Sequence, residues 1–271
     1  MKDLNRVGNS YSKSATTILN YYSDGSNYPN FETYLSGIES RASLSVKKLV
    51  QRDLQLTQTE DQFLFEFVIA MSLRSPRSRR LVQDIATIMK NTNFVEVAGS
   101  DKPRAVHRDA ITSDDIVLED FSTVDVNDEF DSQIKNMHYI SLQRILDNAK
   151  ELREIFELKI VEFQRKRLIT SDSPVLLFSD SVTHVGFASA HQIYLPISPH
   201  IGLFYSNKME GKIDIFPTVA LQEELNGAII RNARKFLISH VEDRELIEHA
   251  GIDSEVGELD IEAVYKQMGF L

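Results

Sequence analysis

Apolar residues recur at every third or fourth position along most of this chain, which is the spacing of helices that bury one face. The strongest pattern follows a capping box that begins at Thr57, and apolar residues occupy nearly every side of the helix predicted over Thr59–Leu73. Phe63, Phe67 and Met71 share one face of this helix. Because little polar surface is left, the helix is predicted to be nearly all buried at the centre of the core.

Weaker helical patterns flank this segment on both sides. They predict short helices at Phe31–Ser40 and 44–52, a helix over about Arg77–Lys90, a long amphipathic helix from about Met137 to Phe163, and a helix capped by Thr218. The pair Ser75-Pro76 separates two of these helices, because serine suits an N-cap and proline suits the first helical position.

Strand and turn patterns replace the helical spacing between Leu168 and Lys208. Three short runs have strand length and β-branched or aromatic content: Val175–Phe178, Gln192–Leu195 and Gly202–Tyr205. Prolines and glycines separate these runs, as they do between the strands of an antiparallel sheet. We therefore predict an α+β fold, a mainly helical single domain over residues 1–271 around a small antiparallel sheet at about 174–206.

The segment 97–133 has neither helical nor strand periodicity. Asp109 to Asp131 contains nine acidic residues and no lysine or arginine, and so contributes most of the formal net charge of −10. We interpret 97–133 as an exposed acidic insertion that is mobile at least in part. Its carboxylates lack the regular spacing of a calcium-binding loop, so a solvated loop is favoured over a metal site.

Composition narrows the classes of function. The chain has no cysteine, which excludes disulfides, thiolate catalysis and zinc sites built on cysteine. The first 22 residues have no apolar core of signal-peptide length, and no apolar run approaches membrane-spanning length, so a cytoplasmic location and no membrane partner are predicted. The acidic balance argues against a surface that coats nucleic acid, although it allows a local basic groove.

Candidate site residues come from two carboxylates and a cluster of arginines, and each has an alternative structural interpretation. The turn that begins at Ser171 places Asp172 either as a catalytic carboxylate or as the acceptor of a local backbone hydrogen bond. Glu39 is either a second carboxylate of the site or a solvated residue on a helix. The cluster Arg74–Arg80 contains four arginines and no acid, and is either a site for phosphate or RNA or a charged helix start.

Five segments in this order resemble a microbial family of uncharacterised proteins, the domain-of-unknown-function 4238 family. They are FETYLSGIESRASLSVKKL (Phe31–Leu49), FEFVIAMSLRSPRSR (Phe65–Arg79), LITSDSPV (Leu168–Val175), IYLPISP (Ile193–Pro199) and LNGAIIRNARKF (Leu225–Phe236). The resemblance covers roughly residues 31–240. Family members usually begin with a His-x-x-Pro segment, and nothing before Phe31 matches it here.

The resemblance implies a set of recurring polar positions and brings no established chemistry. These positions are Glu39, Arg74, Ser171, Asp172, Ser198 and Asn226. Two classes of function follow from the candidates.

The first is an enzyme, a metal-assisted phosphoester hydrolase or nuclease in host–phage conflict. Glu39 and Asp172 would bind a divalent metal or activate water, and Arg74 would neutralise phosphate charge. Arg77, Ser171, Ser198 and Asn226 are predicted to bind the substrate, and nucleic acid would bind through Arg74–Arg80. The second is a non-catalytic protein-interaction module whose acidic insertion and C-terminal tail dock a basic protein partner.

Overall fold

A computed structural model describes the chain over residues 31–91, 94–98, 103–107, 116–120, 128–164, 167–179, 186–187, 189–210, 215–234 and 237–239. Within these ranges the fold is α+β, with several helices and a small antiparallel sheet among them. The predicted fold class is therefore confirmed. None of the helices in these ranges combines the length and the apolar character that spanning a membrane requires.

The helices begin at the capping signals that the sequence contains. They are α1 (Phe31–Val50), α2 (Gln58–Leu73), α3 (Pro76–Asn91), α4 (Asp128–Asp147), α5 (Ala149–Glu154) and α6 (Val219–Asn232). At the start of α2, the side chains of Thr57 and Glu60 each accept a hydrogen bond from the backbone N–H of the other residue. Thr218 Oγ1 caps α6 by accepting from the backbone N–H of Leu221. Both predicted caps are present.

The strands form three antiparallel sheets. They are β1 (Phe94–Ala98), β2 (Pro103–His107), β3 (Ile116–Asp120), β4 (Phe156–Glu162), β5 (Thr170–Ser171), β6 (Leu176–Phe178), β7 (Gln192–Pro196), β8 (Ile201–Asn207) and β9 (Leu237–Ile238). The central sheet has the order β4-β8-β7-β6, and β5 pairs separately with β9. Seven residue pairs, from Phe156 with Asn207 to Glu162 with Ile201, join β4 to β8.

Helices cover the central sheet on both faces, so two apolar clusters form. Ile193, Leu203 and Tyr205 belong to the larger cluster, together with buried residues of α1, α2 and α4. Tyr194 and Phe204, the alternate positions on the same strands, belong to the smaller cluster with buried residues of α6. Because side chains alternate between the faces of a strand, burial on both faces explains why the run from Ile201 to Tyr205 is almost wholly apolar.

Gly202 allows a close approach between β7 and β8. A Cβ atom added at this position would lie 2.7 Å from Cε2 of Tyr194, closer than real Cβ contacts. The ring of Tyr194 therefore packs over the glycine backbone, and it also contacts the ring of Phe204 with centroids 4.7 Å apart. The glycine of this strand is required by packing.

The sequence prediction of one helix from Met137 to Phe163 is wrong beyond residue 154. Phe156–Glu162 is β4, an edge strand of the central sheet in the described part of the chain. The apolar residues of this segment fit helical spacing, but Phe156, Leu158 and Ile160 also fit the two-residue period of a strand, in alternation with Glu157 and Lys159. Pairing with the whole length of β8 decides between the two.

Two further helix predictions need correction. The helices predicted at 31–40 and 44–52 are one continuous helix, α1, because residues 41–43 between them are arginine, alanine and serine, none of which ends a helix. In α2, the deeply buried side chains are those of Leu64, Phe65, Val68 and Ile69. Phe63, Phe67 and Met71, which were expected to be the buried face, are only partly buried. Hydrophobic residues on nearly every side of α2 left the choice of face open.

The segment predicted as an irregular acidic insertion, 97–133, contains regular backbone structure. β1 pairs with β2 over five residues and with β3 over Val95–Ala98, giving the order β2-β1-β3. The helix α4 begins at Asp128, before the predicted end of the insertion. The domain boundaries and the exposure of this segment remain predictions. Its strands were missed because each is only five residues long, too short for a two-residue period to stand out.

Candidate functional site

The candidate residues are positioned by the corner between α2 and α3. Arg74 closes α2, and its backbone N–H donates to the carbonyl of Ala70. Ser75 caps α3 as predicted, because its Oγ accepts a hydrogen bond from the backbone N–H of Ser78 at 3.1 Å. Pro76 occupies the first helical position, where a missing N–H removes no helical hydrogen bond. The corner places Arg74 and Arg77 on either side of a helix break.

Arg74 and Glu39 contact each other, as the enzyme hypothesis requires. Nη1 of Arg74 lies 2.5 Å from Oε1 of Glu39, so the pair joins α1 to the corner. Both side chains keep substantial contact with solvent, with 31% and 47% of their areas exposed. An ion pair in such a position contributes at most about 1 kcal/mol to stability.

Asp172 faces the chain that leaves α6. Its Oδ1 accepts a hydrogen bond of 2.9 Å from the backbone N–H of Arg234. Next to it, Ser171 Oγ accepts from the backbone N–H of Ser173 at 3.1 Å, and Ser171 itself pairs with Leu237 across β5 and β9. These bonds fix the turn between β5 and β6 against the end of α6.

Two asparagines of α6 bind the backbone on the way into this turn. Asn226 is 2% exposed; its Oδ1 accepts from the N–H of Ile169, and its Nδ2 donates to the carbonyl of Arg167. Asn232 Nδ2 donates to the carbonyls of Ser173 at 2.6 Å and of Val175 at 3.2 Å. Asn226, predicted to bind substrate, therefore has its amide engaged in holding the segment 167–175.

Arg77 reaches the same turn through Asn232. Nη1 of Arg77 donates to Oδ1 of Asn232 at 2.5 Å, linking the first turn of α3 to the end of α6. Part of the Arg77 side chain is exposed, but crowding of its charged end by neighbouring atoms, followed by the charge of Arg234, lowers the pKa of Arg77. Arg77, Arg234 and the turn thus form one cluster around Asn232, which we call the arginine cluster.

Ser198 stabilises a different turn, the one between β7 and β8. Its Oγ accepts hydrogen bonds from the backbone N–H groups of His200 at 3.2 Å and Ile201 at 3.1 Å, which shapes the connection between β7 and β8. The neighbouring carbonyl of Pro199 accepts from the N–H of Leu168 at 2.7 Å. The same segment 167–175 is therefore held by the β7–β8 turn as well as by α6.

The structure joins some predicted residues and separates others. Glu39 contacts Arg74, and Arg77 contacts the turn of Asp172 through Asn232. Between Asp172 and either Glu39 or Arg74, all three of them described residues, there is no hydrogen bond or ion pair. Asp172 Oδ1 accepts a hydrogen bond from the backbone N–H of Arg234.

The two predicted metal ligands, Glu39 and Asp172, are bonded to different residues. Glu39 is bonded to Arg74, whereas Asp172 is bonded to the backbone of Arg234. Searching the described ranges for three or more His, Cys, Asp or Glu residues that could hold a metal ion finds no such group. Glu39 and Asp172 as ligands of a divalent metal remain a prediction.

A buried histidine lies beneath the α2–α3 corner. His138, on α4, donates from Nε2 to the carbonyl of Leu73 at 2.6 Å and is 1% exposed. Burial lowers the pKa of His138 to about 4, with Arg79 acting in the same direction and the hydrogen bond to Leu73 opposing it. At neutral pH the ring is uncharged, so it adds no cation to the arginines of the corner.

A separate concave surface, the β4 groove, lies along the outer edge of β4. It has a volume of 580 Å³ and is lined by Leu54, Leu56, Arg153, Leu158, Ile160 and Lys208, among others. One end holds the ion pair of Arg153 with Asp61, and Arg153 also lies over the ring of Tyr205, 5.3 Å from its centroid. Burial, and then the charge of Asp61, raises the pKa of Tyr205. The Tyr205 ring therefore stays neutral, and it lies beneath the ion pair of Arg153 with Asp61.

Sequence reasoning missed three residues of the arginine cluster: Ser173, Asn232 and Arg234. One signal in the sequence did point to it, because the first turn of α3 contains arginines and no acid. Acidic residues are favoured and cations are disfavoured at the start of a helix, so arginines at that position are unusual. Nothing in the spacing of the sequence links them to residues some 155 positions away.

Comparison with curated proteins and with solved structures gives no match. The family model described as "Protein of unknown function (DUF4238)" matches residues 1–243. This match begins 30 residues before the first of the five motif segments and covers most of the chain, so it extends the resemblance predicted from those segments. The chain belongs to the DUF4238 family.

Proposed function

We propose that the protein is a phosphoester hydrolase, acting as a nuclease in host–phage conflict, and that the arginine cluster holds the phosphate of its substrate. The observation that supports this most is the hydrogen bond between Arg77 and Asn232, which brings a helix-start arginine to the turn of Asp172. Arginines that neutralise phosphate charge beside a carboxylate are the minimum that such a reaction needs.

In this proposal the residues have distinct roles. Asp172 is the carboxylate of the cluster; the N–H of Arg234 orients it, and it activates water or binds a divalent metal. Arg77 neutralises the phosphate charge. Arg74 and Glu39 act as positioning residues, because their ion pair fixes the corner from which Arg77 projects.

The expected result for Asp172→Asn is a rate of phosphodiester hydrolysis lower by roughly 100-fold or more, because the amide neither accepts a proton nor binds a metal as a carboxylate does. The asparagine keeps an oxygen that accepts from the N–H of Arg234, so the thermal midpoint should stay close to that of the wild type. The measurement is hydrolysis of bis-p-nitrophenyl phosphate and of labelled single- and double-stranded oligonucleotides, with Mg²⁺, with Mn²⁺ and with EDTA.

Arg231→Gln is the matched control for an Arg77→Gln variant. Arg231 is an exposed arginine of α6 outside the cluster Arg74–Arg80, so its loss should leave the rate unchanged. Arg77→Gln should raise KM. Hydrolysis by Asp172→Asn at the wild-type rate, or no cleavage of any of these substrates by the wild type under all three metal conditions, contradicts the proposal.

The second candidate is the non-catalytic protein-interaction module, and the β4 groove favours it. Leu54 lies there 37% exposed, beside the strand edge that carries no partner strand in the described ranges. The predicted docking surfaces, the acidic insertion and the C-terminal tail, consist of side chains outside the described residues, so they remain predictions. Absence of hydrolysis together with specific capture of one basic protein would favour this candidate.

A further inference from the structure

We infer that Ser173, Arg77 and Arg234 form a binding site for a phosphate monoester, the dianionic terminal phosphate of a nucleotide or of an oligonucleotide end. This inference rests on the proposed function for its place in a reaction, and it names the class of substrate as a nucleic acid held by its terminal phosphate, next to the phosphodiester bond that is hydrolysed. The binding itself is a separate property that can be measured without hydrolysis.

The first support is the balance of charge around Arg77. Its hydrogen-bond acceptor, Asn232 Oδ1, is neutral, and the charged group acting on it is another cation, Arg234. The guanidinium groups of Arg77 and Arg234 carry like charges, and repulsion between like charges is stronger where neighbouring atoms exclude water. A bound anion between them would replace this repulsion with two charge-assisted hydrogen bonds.

The second support is that two buried polar atoms of the cluster have no hydrogen-bond partner among the described residues. They are Oγ of Ser173, a residue that is 1% exposed, and the buried Nε of Arg234. Buried polar groups are nearly always satisfied, so two such atoms within one cluster indicate a ligand or a bound water. The carbonyl of Ser173 is bonded to Asn232, which also accepts from Arg77, so the serine belongs to the same cluster.

The third support is the start of α3. Backbone N–H groups and the helix dipole make the N-terminus of a helix favourable for anions and unfavourable for cations. The first turn of α3 has no acidic residue and contains Arg77, whose hydrogen-bond acceptor Asn232 is neutral. An anion held by Arg77 would offset the unfavourable placement of this arginine.

The choice of a monoester follows from the donors. A terminal phosphate carries close to two negative charges at neutral pH and presents three free oxygens, whereas an internal diester carries one charge and two free oxygens. Beside the carboxylate of Asp172, the cluster offers two cations and a hydroxyl, so its net charge still favours an anion. Because part of the Arg77 side chain is exposed, a terminal phosphate can enter from that side while Ser173 and Arg234 Nε meet it inside.

The test is calorimetric titration of the purified full chain with inorganic phosphate, with dimethyl phosphate, and with an oligonucleotide carrying either a 5′-phosphate or a 5′-hydroxyl. Arg234→Gln should weaken phosphate binding by at least about tenfold, which is the loss of one charge-assisted hydrogen bond. Ser173→Ala should weaken it severalfold with no loss of stability, because Ser173 Oγ has no partner to lose. Arg231→Gln, an exposed cation of the same helix α6, should bind phosphate as the wild type does.

The outcomes separate the inference from the proposed function. Phosphate binding that responds to these variants in a protein without hydrolytic activity would sustain the inference and end the hydrolase proposal. Hydrolysis whose KM is unchanged in Arg234→Gln and Ser173→Ala would sustain the proposal and overturn the inference. Equal affinity for phosphate and dimethyl phosphate, or no phosphate binding by the folded wild type, also overturns it.

Discussion

Phe65→Ala is expected to lower the free energy of unfolding by about 3–5 kcal/mol, because it empties the centre of the larger apolar cluster. The Phe65 side chain is fully buried, and its ring lies 5.8 Å from the centroid of Phe156 and 4.9 Å from that of Tyr205. It therefore joins α2 to both β4 and β8. Urea unfolding followed by circular dichroism measures the effect.

Phe67→Ala is the matched control, since it removes the same atoms two residues away on the same helix. Phe67 is only partly buried, so its loss should cost roughly half as much or less. Equal losses for the two variants would show that α2 presents a different face to the sheet. A larger loss for Phe67 would restore the face expected from the sequence pattern.

Asn232→Leu is expected to lower the free energy of unfolding by roughly 2–4 kcal/mol. The side chain is 8% exposed and makes three hydrogen bonds, to Arg77 and to the carbonyls of Ser173 and Val175. Leucine has a similar volume, so the cost comes from polar groups left without partners rather than from a cavity. Thermal and urea unfolding of the variant measure it.

The Arg77→Met variant distinguishes the bond between Arg77 and Asn232 from the bonds that Asn232 makes to the two carbonyls. It removes the bond to Asn232 Oδ1 but leaves both carbonyl bonds in place, and the lost cation lies beside Arg234. Its cost should be well below that of Asn232→Leu. If Arg77→Met were the more destabilising of the two, Arg77 would be a structural anchor rather than a residue held ready for a ligand.

The helical layers were predictable because their signals are local. The caps at Thr57, Ser75 and Thr218 are each formed with backbone groups a few residues away, so sequence alone identifies them. β4 was not predictable by the same means. Its conformation depends on pairing with β8, some 40 residues later, and its apolar spacing fits a helix equally well.

In the candidate site, too, local features could be predicted from the sequence and long-range contacts could not. The turn at Ser171–Pro174 and the arginines of the corner are visible in the sequence, and so is Asn226 as a recurring position. Their grouping is not visible, because Asn232 joins Arg77 to Ser173 across 155 and 59 positions of the chain. Sequence alone also does not distinguish the two candidate carboxylates. In the structure, Glu39 contacts Arg74, whereas Asp172 contacts the backbone of Arg234.

Diffraction from crystals soaked in tungstate is the most direct measurement of whether the arginine cluster is an oxyanion site. Tungstate is a tetrahedral dianion like the phosphate of a monoester, and its anomalous signal locates it independently of the protein atoms. The expected result is a peak within hydrogen-bonding distance of the guanidinium groups of Arg77 and Arg234 and of Ser173 Oγ. Crystals in which both arginines are ordered and the cluster holds no peak, with tungstate bound only elsewhere, would contradict the phosphate site.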